Sequence, residues 1–353
     1  MSAPRVAAVR TVDVHAHAIL PALQSIVVEG DPTGFEAHQA LEAIRSGPES
    51  LKVSGEMVRA RIPQLTGLER RLADMDAAGV DVQLVSPSPS HYYPFLGEEL
   101  ARKVAEEANR GIRALVDAAP SRQHGLGLVP LQHPSLVVEL LEHAVLECGL
   151  RGVEISSFAP GQTDAASVAG HSVELSDERL EPFWARAVEL DAVVFLHPFG
   201  CSLDERLDKY YLSNTVGQPV ENAVALSHLI FSGVLDRHPG LTLIAAHGGG
   251  YLPTFLGRSD HAWTVRPEAR GCAETPSSYL KRLYFDSLVH TEDSLRNLVA
   301  AVGADRVLLG SDYPFDMGVT DPIERVASAA LSPEQTDAVA GGNAARLKIE
   351  SLQ

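Results

Sequence analysis

A His-x-His pair near the N-terminus has the residue types and the spacing that a bound metal requires. His15 and His17 end an apolar, β-branched stretch that begins at Thr11, and small or apolar residues follow them. In a strand, residues two apart point to the same side, so both imidazoles can face one point. Neutral imidazole is a ligand for zinc, iron, copper and nickel. The pair alone is also compatible with two unrelated histidines at a strand end.

Three later apolar stretches also end in histidine or aspartate. The chain reads Leu-His-Pro at His197, Ala-His-Gly-Gly-Gly at His247 and Gly-Ser-Asp-Tyr-Pro-Phe at Asp312. A catalytic metal site typically has three protein ligands and one open position. His15, His17 and His197 would supply nitrogen, and Asp312 would supply oxygen. His247 then remains as an acid/base group, and the glycines after it allow a sharp turn and close approach of a substrate.

The elements that must position these residues follow a regular rhythm of short apolar strands and helical sequence. The predicted strands are 11–17, 80–85, 125–131, 152–155, 192–196, 241–246, 284–287 and 307–309. The predicted helices between them are 68–78, 98–118, 136–147, 181–190, 220–236 and 292–302. Eight such units indicate an α/β fold, a (β/α)8 TIM barrel, whose active site lies at the C-terminal strand ends. A doubly wound open sheet is the alternative, although no glycine-rich phosphate loop follows the first strand.

The end of the fourth predicted strand bears on the number of metals. Binuclear hydrolases of this architecture commonly bridge two metals with a modified lysine at this place. Here the sequence from Gly152 to Ser156 is Gly-Val-Glu-Ile-Ser, without lysine, so we predict one metal per chain. The other ten histidines lie in predicted loops or helices and are expected to be structural or solvated. They are His38, His91, His124, His133, His143, His171, His228, His238, His261 and His290.

A long segment separates the first strand from the first of these helices. Residues 18–67 contain several prolines and glycines, and scattered apolar residues suggest a small hairpin. A long excursion of this kind is usually functional or disordered, and we expect a lid over the site. The 353 residues are expected to form one barrel domain that carries this insert.

Composition limits the partners and the compartment. The net charge of −17 argues against nucleic acid or an anionic membrane as a partner, because both require basic patches. A small anionic substrate remains compatible, since a few buried arginines can dominate one pocket. Cys148, Cys201 and Cys272 are far apart, which suggests reduced thiols in a cytoplasmic protein. We see no apolar signal core and no apolar run long enough for a membrane span.

At these residues the chain resembles the amidohydrolase superfamily, and more closely the branch of α-amino-β-carboxymuconate-ε-semialdehyde decarboxylase and related non-oxidative decarboxylases. The resemblance covers nearly the whole chain. It is specific through the combination of Met-Asp-Ala-Ala-Gly-Val-Asp at 75–81, the glycine run after His247, and Gly-Ser-Asp-Tyr-Pro-Phe at 310–315. It implies that His247 is a proton shuttle. It also implies one bound metal, usually Zn2+ with Mn2+ as the alternative, held by His15, His17, His197 and Asp312.

The resemblance also implies substrate-binding residues. The family uses an arginine from the insert, which matches Arg59, and two arginines after the glycine run, which match Arg258 and Arg266. In the family the latter pair reaches the neighbouring subunit's site, which implies a homodimer. A pocket tryptophan of the family corresponds to Tyr210, and this departure affects the choice of substrate. Resorcylate-type relatives begin with Glu-x-His, so the His-x-His pair favours the carboxymuconate side.

The leading prediction is a metal-dependent, non-oxidative decarboxylase of an unsaturated or aromatic carboxylate. A catalytic metal lowers the pKa of its water to about 7, and His247 would handle the proton of that water. Arginines would hold the substrate carboxylates in a bidentate manner. Two alternatives remain open at this point. One is a hydrolase or hydratase of a related ring-cleavage product with the same site residues, and the other is a barrel that binds metal or ligand without turnover.

Overall fold

Eight parallel strands form the centre of the molecule in the computed structural model, which describes residues 9–160 and 172–349. They are β1 (Val12–Ala18), β2 (Val82–Pro87), β3 (Gln123–Leu128), β4 (Gly152–Ile155), β5 (Val193–Leu196), β6 (Thr242–Ala245), β7 (Tyr284–Asp286) and β8 (Val307–Leu308). Each strand pairs with the next one along the chain. All eight predicted strands are therefore found, with ends that differ from the prediction by a few residues.

The barrel closes between its first and last strands. Val14 N donates to Leu309 O at 2.8 Å, and His17 N donates to Tyr313 O at 2.7 Å. This closure confirms the (β/α)8 barrel and excludes the open sheet. It also places the His-x-His pair of β1 next to Asp312, which follows β8.

Branched and aromatic side chains fill the barrel interior. Val14, Leu84, Phe195 and Ile244 come from four different strands, belong to one cluster and have no exposed surface. A second, larger cluster lies between the strands and the surrounding helices. Because the strands are covered on both faces, they read as nearly continuous apolar runs, and polar residues stand out at their C-terminal ends.

Helices surround the barrel, and the predicted helices 68–78, 98–118 and 292–302 have the predicted bounds. The α-helices of the described residues are α1 (Pro21–Gly30), α2 (Pro32–Ser46), α3 (Pro48–Ala60), α4 (Ile62–Thr66), α5 (Leu68–Ala78), α6 (Glu98–Ala118), α7 (Val137–Glu142), α8 (Glu181–Glu189), α9 (Gln218–Phe231), α10 (Val234–Arg237), α11 (Leu252–Phe255), α12 (Gly257–Val265), α13 (Glu292–Val302), α14 (Pro322–Ser328), α15 (Pro333–Asp337) and α16 (Asn343–Arg346). A short antiparallel pair joins Phe158–Ala159 to Val173–Glu174. The predicted loop position His171 lies outside the described residues.

The insert after β1 folds as helices α1 to α4, so the expected hairpin is wrong. Pro21, Pro32 and Pro48 each stand at the start of one of these helices. Proline is favourable there because the first helical residue needs no N–H for a helical hydrogen bond. Gly47 separates α2 from α3 with a φ of 76°, a conformation that glycine adopts without strain. The prolines and glycines of the insert therefore mark helix boundaries.

Two further expectations concern the cysteines and membrane-spanning segments. Cys148, Cys201 and Cys272 are buried, and no disulfide joins any of them in the described part of the chain. Among the described helices, none combines the length and the apolar character that a membrane span requires.

Candidate metal centre

Four side chains meet at the C-terminal rim of the barrel in an arrangement that can hold one metal ion. His15 and His17 end β1, His197 follows β5 and Asp312 follows β8, and one ligand atom of each lies within 4.8 Å of the others. His15 Nε2 is 3.1 Å from His17 Nε2, and Asp312 Oδ1 is 3.4 Å from both of these nitrogens. The structure thus brings together the four residues that the sequence predicted as ligands, here called the metal cluster.

Unpaired polar atoms indicate that a cation fits the metal cluster. Both ring nitrogens of His197 and Oδ1 of Asp312 are buried and have no hydrogen-bond partner among the described residues. A buried polar atom without a partner costs about 1–3 kcal/mol, so three in one place require an explanation. A divalent metal would satisfy them, because three imidazole nitrogens and one carboxylate oxygen are a common donor set for such ions.

Hydrogen bonds on the far side of the His-x-His rings orient them toward the metal cluster. Asp286 Oδ2 accepts from His15 Nδ1 at 2.6 Å. Ser86 Oγ lies 3.1 Å from His17 Nδ1 and donates to the carboxylate of Glu154. When the proton is on Nδ1, each ring directs the lone pair of Nε2 at the cluster, as a metal ligand must.

The charges around the metal cluster favour a cation. Burial opposes protonation of His15, but the carboxylates of Asp312 and Asp286 outweigh it and raise its pKa to about 10. Burial lowers the pKa of His17 to about 4 and, together with the neighbouring histidines, holds the pKa of His197 well below its usual value. His17 and His197 are therefore neutral at pH 7, whereas His15 is protonated and would exchange its Nε2 proton for a bound metal.

His247 stands beside the metal cluster and does not belong to it. Its Nε2 lies 3.9 Å from Asp312 Oδ2, and its ring centroid lies 5.2 Å from that of His15 and 4.9 Å from that of His197. Its side chain is 18% exposed, and its Nδ1 is buried with no hydrogen bond to any described residue. This position suits a group that transfers protons next to a metal, and that role stays a prediction.

A tight backbone turn fixes the position of His247. Its φ is +54°, and the three glycines that follow it also have positive φ. A Cβ atom on Gly248 would lie 2.4 Å from Val289 Cγ1, so a larger residue does not fit. Asp312 is also left-handed, with a φ of +57°. Such backbone costs roughly 1–3 kcal/mol for a residue other than glycine, and it concentrates at functional sites.

A cavity of about 410 Å³ opens beside His247 and Asp312. This volume is within the range of small-molecule sites. Neutral amide side chains line part of it, namely Asn214, Gln218 and Asn297, and the rest of the lining is a mixture of apolar residues, hydroxyl groups and His290. Oε1 of Gln218 is buried and has no hydrogen-bond partner within the described ranges.

The predicted substrate residues do not enter this cavity within one chain. Arg59 is exposed on α3, and Arg258 is exposed on α12. Arg266 is exposed at the end of α12 and pairs with Glu268. Tyr210 is 87% exposed. A contribution of Arg258 and Arg266 to the site of a second subunit stays a prediction.

Tyr211, the neighbour of Tyr210, is partly buried, whereas Tyr210 is exposed. Burial and the charge of Asp316 raise the pKa of Tyr211 to about 12, a hydrogen bond with Ser54 of the insert opposes this shift, and Asp312 adds to it. Both tyrosines have a φ of 59°, so the chain turns at these residues. The structure thus leaves Tyr210 exposed and Tyr211 partly buried, and the substrate role of Tyr210 stays a prediction.

Arg61 connects the insert to the loop after β8. Its guanidinium donates to the carbonyl oxygens of Pro314 and Phe315, the latter at 3.2 Å. The ring of Phe315 packs against His17, with the two centroids 5.5 Å apart. The insert is thus in contact with a residue that touches the metal cluster, through Arg61 and not through Arg59.

Sequence reasoning missed Asp286 and Glu154, although both lie at C-terminal strand ends, where rim residues are expected. Asp286 ends β7, and Glu154 lies in β4. The carboxylate of Glu154 is 3.6 Å from Nδ1 of His17, on the side of the ring that faces away from the metal cluster. The prediction of a single ion per chain stays a prediction.

Comparisons with known proteins identify the relatives of this chain. A family model described as amidohydrolase matches residues 12–347. The 2-amino-3-carboxymuconate-6-semialdehyde decarboxylase of Dictyostelium discoideum is 31% identical, over 94% of this chain and 90% of that protein. The gamma-resorcylate decarboxylase of Rhodococcus jostii is 28% identical, over 87% and 97%. The crystal structure of 5-carboxyvanillate decarboxylase from Novosphingobium aromaticivorans with manganese has a TM-score of 0.78 at 23% identity, over 96% of each chain.

Proposed function

This chain belongs to the amidohydrolase family, and from that premise we propose that it is a metal-dependent, non-oxidative decarboxylase of an unsaturated or aromatic carboxylate. The observation that carries the proposal is the buried cluster of His15, His17, His197 and Asp312, in a chain similar to decarboxylases over nearly its whole length. The substrate class is taken from the names of those relatives. They act on a carboxymuconate semialdehyde and on a resorcylate.

One divalent metal per chain is the proposed cofactor, with zinc preferred and manganese as the alternative. Three imidazoles and one carboxylate are typical zinc ligands, and a relative of the same fold was crystallised with manganese. A metal bound there supplies Lewis acidity, which polarises a substrate oxygen or a water molecule placed against it. Elemental analysis after mild purification should find one metal per chain. A value of none or two would contradict this cofactor.

His247 is the proposed acid/base residue. When carbon dioxide leaves, the electron pair of the broken carbon–carbon bond stays on the substrate carbon, which then takes a proton. His247 is suited to deliver this proton, because it is partly exposed to the cavity and its Nδ1 has no partner in the described chain. Asp312 directs Oδ1 at the metal cluster and Oδ2 toward His247, so a single carboxylate touches both the ligands and the proton donor.

We propose that the substrate is held in the cavity beside His247 and that the insert covers it as a lid. The contact of Arg61 with the loop after β8 supports the lid. Arg59 would bind a substrate carboxylate only if α3 moved inward, since its side chain is exposed. Arg258 and Arg266 are proposed to act on the partner's site in a homodimer, for which their exposure leaves them available. A single barrel domain and a cytoplasmic location complete the proposal.

Release of carbon dioxide tests the proposed function. The purified protein is loaded with zinc or with manganese and offered 2-amino-3-carboxymuconate-6-semialdehyde, 2,6-dihydroxybenzoate and other aromatic carboxylates. We expect carbon dioxide in an amount equal to the substrate consumed. We also expect this activity to disappear with a chelator and to return with added metal. Consumption of substrate without carbon dioxide, with water added to the product, would show a hydrolase or hydratase instead.

A further inference from the structure

His290 lines the cavity beside His247, although its place in the sequence predicts a structural or solvated histidine. It lies four residues after the end of β7, at the C-terminal rim that carries the metal cluster. It is exposed, and within the described chain its hydrogen bonds involve only its backbone. The two ring nitrogens therefore have no hydrogen-bond partner among these residues and can meet a ligand in the cavity.

A strained turn holds His290 in this position. Its φ is +63°, and Thr291 N donates to Val289 O at 2.8 Å across it. Arg325 donates to the carbonyl oxygen of His290 at 3.0 Å and is itself fixed by Asp321 at 2.7 Å. Left-handed backbone is uncommon for a residue other than glycine, and it concentrates at functional sites.

One carboxylate holds both the loop of His290 and the turn of His247. Asp286 accepts from Leu288 N at 3.1 Å, from Gly248 N at 2.8 Å and from His247 N at 2.9 Å. Val289 fills the space beside Gly248, where a Cβ atom would lie 2.4 Å from Cγ1 of the valine. The loop and the turn thus form one packed unit, which fixes the backbones of the two histidines relative to each other.

The charges of the cavity limit what His290 can recognise. Among the described residues that line the cavity, none is lysine or arginine. Burial, His247 and Arg325 lower the pKa of His290, and Asp286 and Asp312 oppose this shift, so the ring is neutral at pH 7. A neutral imidazole has one donating and one accepting nitrogen, as a hydroxyl or amino group also donates and accepts. An ionised carboxylate only accepts, and it would find no cationic side chain in this lining.

We propose that His290 is a specificity-determining residue, which forms a hydrogen bond with a hydroxyl or amino substituent of the substrate. The inference rests on the proposed function, because it places the substrate in this cavity. The substrate would be oriented at two points. Its reacting carboxylate lies toward the metal cluster and His247, and its neutral substituent lies against His290. The substrate class narrows to carboxylates that carry such a substituent in addition to the carboxylate that leaves.

A panel of ligands that differ in one substituent tests the proposal. Zn2+-loaded protein is titrated with benzoate, with the three isomers of hydroxybenzoate, and with the three isomers of phthalate, which place a second carboxylate at the same ring positions. Dissociation constants are measured by calorimetry, and kcat/KM is compared for any isomer that releases carbon dioxide. We expect at least one hydroxybenzoate to bind about 3–10-fold more tightly than benzoate, as one neutral hydrogen bond contributes. The phthalate isomer with the same geometry should have no such advantage.

Variants at position 290 assign this preference to the ring. His290→Gly is the main variant, because glycine adopts a φ of +63° without strain. It should lose the 3–10-fold preference for the hydroxybenzoate, while the affinity for benzoate changes less than twofold. His290→Asn and His290→Gln place an amide near Nδ1 and near Nε2 of the ring, respectively, so one of them should keep most of the preference.

His228→Gly is the matched control, because the side chain of His228 is 36% exposed and bonds Ser176 at 2.7 Å without lining the cavity. The control should bind the whole panel as the unmodified protein does. Circular dichroism and urea unfolding identify any variant that is not folded. If His290→Gly is not folded, His290→Ala takes its place.

The outcomes separate this inference from the proposed function. A hydroxyl preference that depends on His290, in a protein that releases carbon dioxide from no carboxylate offered, would support the inference and overturn the proposed function. Release of carbon dioxide with a preference that persists in folded His290→Gly would overturn only the inference. Three further results would also overturn it: no panel ligand bound by the unmodified protein, equal losses for benzoate and hydroxybenzoate, or a phthalate bound more tightly than the matching hydroxybenzoate.

Discussion

Asp286→Asn is a sharp test of how the site is held together, because four N–H groups converge on this one carboxylate. Oδ2 accepts from His15 Nδ1 at 2.6 Å and from His247 N at 2.9 Å. Oδ1 accepts from Gly248 N at 2.8 Å and from Leu288 N at 3.1 Å. The side chain thus connects a proposed ligand, the turn of the proposed proton donor and the loop after β7.

Asparagine can accept at only one end, so two of the four N–H groups lose their partner and face an NH2 group. A buried donor without a partner costs about 1–3 kcal/mol, so the free energy of unfolding should fall by about 2–6 kcal/mol. If the amide turns to keep His15 satisfied, the loss falls on Gly248 and Leu288 and displaces the turn at His247. If it turns the other way, the ring of His15 loses its orientation, and metal affinity should fall by about 10–100-fold.

Urea unfolding of the metal-free protein and metal titration of the same samples measure these two effects. Asp236→Asn is the control. Asp236 also accepts from the backbone N–H of Ala273 and from the hydroxyl of Tyr279, but it has no contact with the metal cluster. The control should lose stability and keep metal affinity. Asp286→Asn with unchanged unfolding and unchanged metal affinity would refute the assignment of these four hydrogen bonds as the support of the site.

Three more predictions follow from the site and its surroundings. His247→Ala should lose about 10²–10⁴-fold in rate and keep its metal, whereas His197→Ala should lose the metal; the reverse pattern would exchange ligand and proton donor. Mixing Arg258→Ala with His247→Ala chains should restore partial activity in hybrid dimers, and proven hybrids without recovery would contradict a shared site. The third prediction is that the free energy of unfolding depends on pH through His91. Burial lowers the pKa of His91 to about 4, and its Nε2 accepts from Leu20 N. The unfolded chain binds a proton at this residue below about pH 6.5 and the folded chain does not. Stability should therefore fall as pH drops from 6.5 to 4, by on the order of 3 kcal/mol. Urea unfolding across this range should show a smaller loss in His91→Gln, and an equal loss would contradict the assignment.

The metal cluster could be predicted from the sequence because a parallel barrel brings every C-terminal strand end to one rim. A polar residue after an apolar run is then a candidate whatever its distance along the chain. This rule identified His197, His247 and Asp312, which the structure places within a few ångström of the His-x-His pair. The same rule applies to Asp286 and Glu154, whose roles depend on which atoms of the histidine rings they face. Sequence spacing does not contain that information.

The substrate residues could not be predicted to the same depth, because their placement depends on local backbone direction. Tyr210 and Tyr211 are adjacent in a turn, and only the folded backbone leaves Tyr210 exposed and Tyr211 partly buried. Arg59 and Arg61 stand two residues apart at the end of α3, so they point to different sides of the helix. The prolines of the insert are typical of loops, although proline is equally favourable in the first turn of a helix. In each case the residue type fits two structures, and packing selects one.

The hydrogen bonds that join β1 to the end of β8 determine at what stage of synthesis and folding the chain can bind a metal. The two strands carry ligands that lie about 300 residues apart in sequence, and they meet only where the ring closes. A nascent chain that has not yet reached Asp312 has the His-x-His pair but no carboxylate to complete the set. Its first strand also presents unpaired N–H and C=O groups, to which a strand of another chain can add. Metal binding by the complete cluster therefore becomes possible only at the last stage of synthesis. A truncated chain would be prone to aggregate and would not persist as a folded, metal-free barrel.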